Sequence, residues 1–85
     1  MINERKVRLG DLKKGEKGSI VEVGNIYSSQ ELIKRLLQMG LLEGARVEVM
    51  HEAPFGGDPM AVKVRGSLIA LRRSEADLIE VLVYE

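Results

Sequence analysis

The sequence predicts a small, mainly β barrel with one inserted α-helix. Two observations support this prediction. Short runs rich in valine and isoleucine recur between turn residues, as strands do in small barrels. Only one segment, near residues 30–39, has apolar residues at helical spacing. At 85 residues the chain has the length of one domain, and we expect residues 1–85 to form it, with a core between about residues 9 and 83.

Five segments are predicted to be strands. They are residues 18–23, 46–53, 60–65, 67–73 and 78–83, in which β-branched residues recur between glycine and proline. Gly66, alone or with Ser67, is expected to make the hairpin turn between the third and fourth strands. Residues 1–8 are mostly polar and are expected to form a loose lead-in. Five such strands suggest a closed barrel.

The helix is predicted to begin at Ser28 or Ser29 and to end at Gly40. Ser28 and Glu31 have the spacing of a capping box, and Gly40 suits the left-handed position that follows a helix. An isolated helix of this length is marginal in water, so its apolar stripe is expected to pack on the barrel. The apolar face consists of Leu32, Ile33, Leu36, Leu37 and Met39, and the stripe expected to contact the barrel is Leu32, Leu36 and Met39.

Composition and charge argue against several function classes. Thirteen Lys and Arg balance 13 Asp and Glu, whereas nucleic-acid binding favours an excess of positive charge on one face. Nucleic acid is therefore not an expected partner, and Arg65, Arg72 and Arg73 are expected to form ion pairs instead. The N-terminus has no signal peptide, and no apolar run approaches the ~20 residues that span a bilayer. We expect a cytoplasmic protein without membrane insertion.

No catalytic group and no cofactor site are predicted. The carboxylates are scattered, and the chain has no cysteine. Gly56-Gly57 lacks a phosphate-binding pattern and indicates a mobile hairpin tip. The single histidine, His51, could bind a metal weakly with Glu52 or Asp58. Strand alternation puts His51 on the face of Val47 and Val49, which favours a structural role. The remaining hypothesis is a protein that works by contact with another protein.

Two apolar features are expected to be exposed and to form the partner-binding surface. One is the loop between the second and third strands, residues 53–59, which we call the tip loop. Its candidate contact residues are Pro54, Phe55, Gly56, Gly57, Asp58 and Pro59. The other feature is the helix end, with Met39, Leu41 and Leu42. Phe55 either projects as a contact residue or folds back to plug the barrel, and the sequence leaves both alternatives open.

The order and spacing of several short motifs resemble the ferrous iron transport protein A (FeoA) family. These motifs are Leu12-x-x-Gly15, Gly40-Leu41-x-x-Gly44-x-x-Val47-x-Val49, Pro54-x-Gly56-Gly57-Asp58-Pro59, Val62-x-Val64-x-Gly66, Ala70-Leu71-Arg72, Glu75-Ala76 and Ile79-x-Val81. Two departures are visible. Glu43 stands where the family often has proline, and Gly56-Gly57 makes the tip loop one residue longer than in many members.

The resemblance implies a five-stranded barrel of the SH3 type and a non-enzymatic accessory protein of a prokaryotic ferrous iron (Fe²⁺) uptake system. The implied partner is the FeoB-type permease, contacted through its cytosolic GTP-binding part or its membrane part. The protein would then lie at the inner face of the membrane through that partner. An alternative is a weak metal-sensing module, because iron-dependent repressors carry a related domain. Barrel edges also leave self-association open.

Overall fold

A computed structural model describes residues 3–84, and within them it shows six strands, two α-helices and one 3₁₀ turn. The strands are β1 (Glu4–Arg8), β2 (Lys17–Val23), β3 (Arg46–Glu52), β4 (Met60–Val64), β5 (Ser67–Leu71) and β6 (Ile79–Tyr84). The helices are α1 (Gln30–Gln38) and α2 (Arg73–Ala76), and the 3₁₀ turn spans Leu9–Asp11. No helix in this part of the chain is long and apolar enough to cross a membrane.

All strand pairs are antiparallel, and the sheet order is β1-β6-β2-β3-β4-β5. One hydrophobic core collects buried side chains from β2 through β6: Ile20, Val47, Val49, Met60, Val62, Val64, Leu71, Ile79, Val81 and Val83. Because five neighbouring strands share this core, the sheet must wrap around it. The mainly β barrel with one inserted helix is confirmed. Over residues 3–84 the order of hydrogen-bonded strands nevertheless ends at β1 and β5. The strands therefore do not form the closed ring of hydrogen bonds that the sequence analysis predicts.

The prediction of a loose lead-in is wrong for residues 4–8, which form a sixth strand, β1. Residues 1 and 2 lie outside the described residues. β1 pairs with β6 from Glu4 opposite Tyr84 to Arg8 opposite Glu80. Only Val7 of β1 packs against the core, and the other side chains of the strand are exposed. The strand therefore lacks the apolar alternation on which sequence-based prediction depends.

The turn between β4 and β5 consists of Arg65 and Gly66, because Val64 pairs with Ser67. Ser67 is thus the first residue of β5 and not part of the turn. Both turn residues have positive φ, 50° at Arg65 and 82° at Gly66, as a type I′ turn requires. Such turns favour Asn, Asp or Gly, and a left-handed conformation costs other residues roughly 1–2 kcal/mol.

The N-cap of α1 is Ser29, the second of the two predicted start residues. Its Oγ accepts a hydrogen bond of 3.1 Å from the Leu32 N–H. The Ser28 Oγ instead accepts a hydrogen bond of 3.0 Å from the Asn25 N–H in the preceding loop. The capping box predicted for Ser28 and Glu31 is therefore wrong.

The end of α1 and the stripe that contacts the barrel are as predicted, but Leu37 of the same apolar face is exposed, so its expected place on that face is wrong. Gly40 has a φ of 94°, in the left-handed region that ends many helices. Leu36 is fully buried, and Leu32 and Met39 are half-buried against the core. The helix is thus held by packing on the barrel, as its short length requires.

Candidate partner-binding site

The tip loop joins β3 to β4 and presents the single phenylalanine to solvent. Phe55 is 95% exposed, so the exposed alternative for this side chain is the one that the structure shows. Pro54, Asp58 and Pro59 are exposed as well. An aromatic side chain held in solvent on a loop is suited to contact with a protein partner, because aromatic residues are enriched in such interfaces.

Arg73, the first residue of α2, fastens the base of the tip loop. Its Nε–H donates to the Gly57 carbonyl at 3.0 Å, and its Nη2 pairs with the Glu52 carboxylate. Its backbone N–H donates to Asp58 Oδ1 at 2.9 Å. These contacts hold both ends of the loop against α2. The ion pairing expected for Arg73 is confirmed.

The same guanidinium also reaches the segment that precedes β2. Its Nη1 donates to the carbonyls of Gly10 at 2.7 Å and Leu12 at 2.9 Å. We call this set of contacts to Gly10, Leu12, Glu52, Gly57 and Asp58 the Arg73 anchor. The base of the loop, with Gly57, is therefore held by hydrogen bonds, and the mobility expected of the tip itself stays a prediction.

The helix end is less exposed than the sequence suggested. Leu41 is fully buried in the core, and Met39 and Leu42 are half-buried, so the expected exposure of Leu41 is wrong. The Leu41 N–H donates to the Leu36 carbonyl and the Gly40 N–H to the Leu37 carbonyl. This pair of bonds is a Schellman motif, which turns the residue after Gly40 back onto the helix.

The structure does not bring the helix end and the tip loop together. Gly40 lies beside Val64 and Arg65, at the carboxyl end of β4. The tip loop precedes Met60, at the opposite end of that strand. At 3.3 Å per residue, β4 separates the two features by about 13 Å. The tip loop is therefore the better candidate for a partner surface, and Leu41 is not available for contact.

A β-bulge changes the face on which His51 lies. In the β3–β4 ladder Val49 pairs with Val62 but His51 pairs with Ala61, so Met50 is an extra residue on β3. A bulge shifts the alternation of side chains by one position. His51 is consequently exposed, and the prediction that it shares the buried face of Val49 is wrong.

The weak metal candidates do not form a site. Glu52 pairs with Arg73, and Asp58 accepts the Arg73 backbone N–H, so both carboxylates already have partners. Across residues 3–84, no three His, Asp or Glu side chains are grouped so that they could hold a metal ion. His51, Glu52 and Asp58 are therefore not assembled for coordination in this structure.

The region that matches a known family begins in β1 and ends in β6. The profile of the FeoA domain matches residues 7–83, nearly the whole chain. The chain belongs to the FeoA domain family. The resemblance carried by the sequence motifs is thereby confirmed. No curated protein matches this FeoA domain in sequence.

This FeoA domain is similar to solved FeoA proteins. The FeoA protein of Chlorobium tepidum is 32% identical with a TM-score of 0.77, and the match covers 91% of this chain and 69% of that one. The zinc-complexed FeoA of Stenotrophomonas maltophilia, described as a prokaryotic SH3 domain protein, is 26% identical with a TM-score of 0.75. That match covers 93% of this chain and 89% of the other.

The same fold also occurs in transcriptional repressors. A manganese-dependent transcriptional repressor matches 95% of this FeoA domain with a TM-score of 0.80, over 43% of its own chain. At 15% identity this likeness shows the fold alone. Together with the FeoA structures it confirms the SH3-like barrel.

Proposed function

We propose that this FeoA domain is a non-enzymatic accessory protein of a prokaryotic ferrous iron uptake system and that it docks on a FeoB-type permease. Family membership supports the link to iron uptake. One solved FeoA is described as an iron uptake regulatory protein, and the Stenotrophomonas maltophilia protein is discussed as a ferrous iron transport activating factor. The proposal includes a cytoplasmic location at the inner face of the membrane, reached through the permease.

The observation that carries the docking proposal is the exposed Phe55 on an anchored loop. A phenylalanine side chain has 150–250 Å² of surface to bury, roughly, which makes it an effective interface residue. Ordering a flexible loop on binding would oppose association. The Arg73 anchor reduces this entropic cost of binding, since it already fixes Gly57 and Asp58 in the free domain.

Replacing Phe55 with alanine is expected to weaken binding to the full-length permease in nanodiscs by roughly 10–100-fold, the effect of losing an aromatic anchor. The free energy of unfolding should change by less than about 0.5 kcal/mol, because Phe55 touches little of its own fold. Calorimetric or biolayer titrations of both variants, in each nucleotide state of the permease, measure the difference.

The matched control is Leu68→Ala, because Leu68 is another exposed apolar residue, on β5 and outside the tip loop. It should bind as the unmodified domain does. Equal affinities for the Phe55→Ala variant and the unmodified domain would refute the tip loop as the docking surface.

A further inference from the structure

A cleft of about 490 Å³ opens on the outer face of β2, β3 and β4, at the end of β4 that is remote from the tip loop. Its floor includes Gly18 and Val47, and Gly66 lies at its rim. Its charged lining consists of Lys17, Arg46, Glu48, Lys63 and Arg65. The cleft therefore carries an excess of three positive charges in a chain whose formal net charge is zero.

The strand registers show how these charges are arranged. Lys17 and Lys63 both lie opposite Glu48, one on each neighbouring strand, so the carboxylate has a cation on either side. In the next row of β3, Arg46 lies opposite Ser19, and Arg65, the first residue of the turn after β4, lines the same cleft. Arg46 and Arg65 thus line one cleft, and neither forms an ion pair within residues 3–84.

Nothing within the described part of the chain neutralises this pair of arginines. The ion pairs among residues 3–84 are those of Arg8 with Asp11, Arg35 with Glu75 and Arg73 with Glu52. The ion pair expected for Arg65 is therefore not formed. Like charges close to one another on a sheet destabilise it, so two unpaired arginines in one cleft contribute no stability to the fold.

The backbone at Arg65 provides an independent observation. Arg65 has a φ of 50° at the first position of a type I′ turn, where asparagine or glycine would be free of strain. Arg65 thus has a disfavoured backbone conformation and an unpaired charge, and neither stabilises the fold. This combination indicates that its side chain has a role in binding.

We propose that this cleft binds a carboxylate-bearing peptide segment of a partner protein, with Arg46 and Arg65 receiving the carboxylates. A guanidinium binds a carboxylate through two parallel N–H···O bonds, which gives direction as well as charge attraction. Glu48, between its two lysines, is an acceptor for N–H or hydroxyl groups of the same segment. The site is additional to the proposed docking by the tip loop, and the length of β4 lets both be occupied together.

The carboxylate of Glu48 favours a peptide, and not a nucleic acid or a membrane, as the ligand of this cleft. A nucleic-acid backbone or an anionic membrane surface presents negative charge throughout and would be repelled by Glu48. With the cleft positive and the net charge zero, the remaining surface is negative by the same amount. An acidic peptide segment can enter the cleft without bringing a wide anionic surface against the rest of the domain.

The test is a titration of the ¹⁵N-labelled domain with the blocked peptide acetyl-Glu-Ser-Glu-Ser-amide, whose two carboxylates alternate with hydroxyl donors. Amide chemical shifts are followed, and the titration is repeated at rising salt. We expect saturable shifts at Gly18, Arg46 and Gly66, with affinity falling as salt increases. Arg46→Gln and Arg65→Asn should each weaken binding by about tenfold or more, since each removes one bidentate contact. Lys34 is a cation exposed on α1, and the matched control Lys34→Gln should bind the same peptide as the unmodified domain does.

Arg65→Asn separates binding from folding. Asparagine suits the left-handed turn position, so this variant should melt at a higher temperature than the unmodified domain while it binds less well. Shifts absent at the cleft, or equal affinities for Arg65→Asn and Lys34→Gln, would overturn the proposal. It would also be overturned if inorganic phosphate, phosphatidylglycerol vesicles or a single-stranded oligonucleotide bound the same residues as tightly as the peptide does.

Discussion

Replacing Arg73 with methionine is expected to lower the free energy of unfolding by about 2–4 kcal/mol. Methionine keeps much of the apolar stem but leaves the Glu52 carboxylate and the carbonyls of Gly10, Leu12 and Gly57 without their donor. This loss of stability is smaller than that of breaking a fully buried ion pair. The side chains of Arg73 and Glu52 are 23% and 29% exposed, so water can reach the carboxylate that is left without its partner.

The neighbouring Arg72→Met is the control, since the Arg72 side chain is exposed. Its free energy of unfolding should stay within about 0.5 kcal/mol of the unmodified value. Urea denaturation followed by circular dichroism measures both variants, and hydrogen exchange at Gly57 reports whether the tip loop has loosened. If the two methionine variants prove equally stable, the Arg73 anchor does not support the fold.

Leu36→Ala is expected to destabilise the domain by about 2–5 kcal/mol, through lost burial and the cavity left behind. Leu36 is fully buried where α1 meets the barrel, and it is the residue that the Schellman motif joins to Leu41. Leu37, the next residue of the same helix, is 39% exposed. Leu37→Ala keeps the same chemistry and helix position, so it should cost no more than about 1 kcal/mol.

Chemical denaturation of the two alanine variants side by side measures this difference. Because the substitutions are chemically identical and adjacent, helix propensity cancels in the comparison. A Leu36→Ala variant no less stable than Leu37→Ala would contradict the packing of α1 on the barrel.

The parts of the fold that the sequence predicted are those where local patterns and packing agree. The five predicted strands carry β-branched residues on a buried face, and Gly40 ends α1 because glycine adopts the left-handed conformation easily. β1 was missed since Val7 is its only residue packed on the core. The position of His51 was wrong because alternation assumes a regular ladder, and Met50 inserts a bulge.

The candidate site also contains residues that the sequence predicts well and residues that it does not. The exposure of Phe55 was one of two alternatives that composition could not separate, since a loop aromatic can point either way. The burial of Leu41 had a usable signal, because an apolar residue after a helix-ending glycine often packs back on the last turn.

The Arg73 anchor had no comparable signal in the sequence. An ion pair for Arg73 was expected, but its partner Glu52 is 21 residues away. The guanidinium's other partners are backbone carbonyls, the farthest of them 63 positions away in the sequence. Every residue has a backbone carbonyl, so residue identity cannot predict which carbonyls accept these hydrogen bonds. Only the folded chain shows that these groups converge.

The anchor also separates two roles along the chain. Its partners flank the outermost residues of the tip loop, 54–56, and none of its hydrogen bonds uses a side chain from that segment. Substitutions at Pro54 and Phe55 are thus less constrained by folding than by recognition, whereas Gly56 has a φ of 83° that favours glycine. One barrel can therefore present different loop tips on the same base, and so recognise different partners without a change in its core.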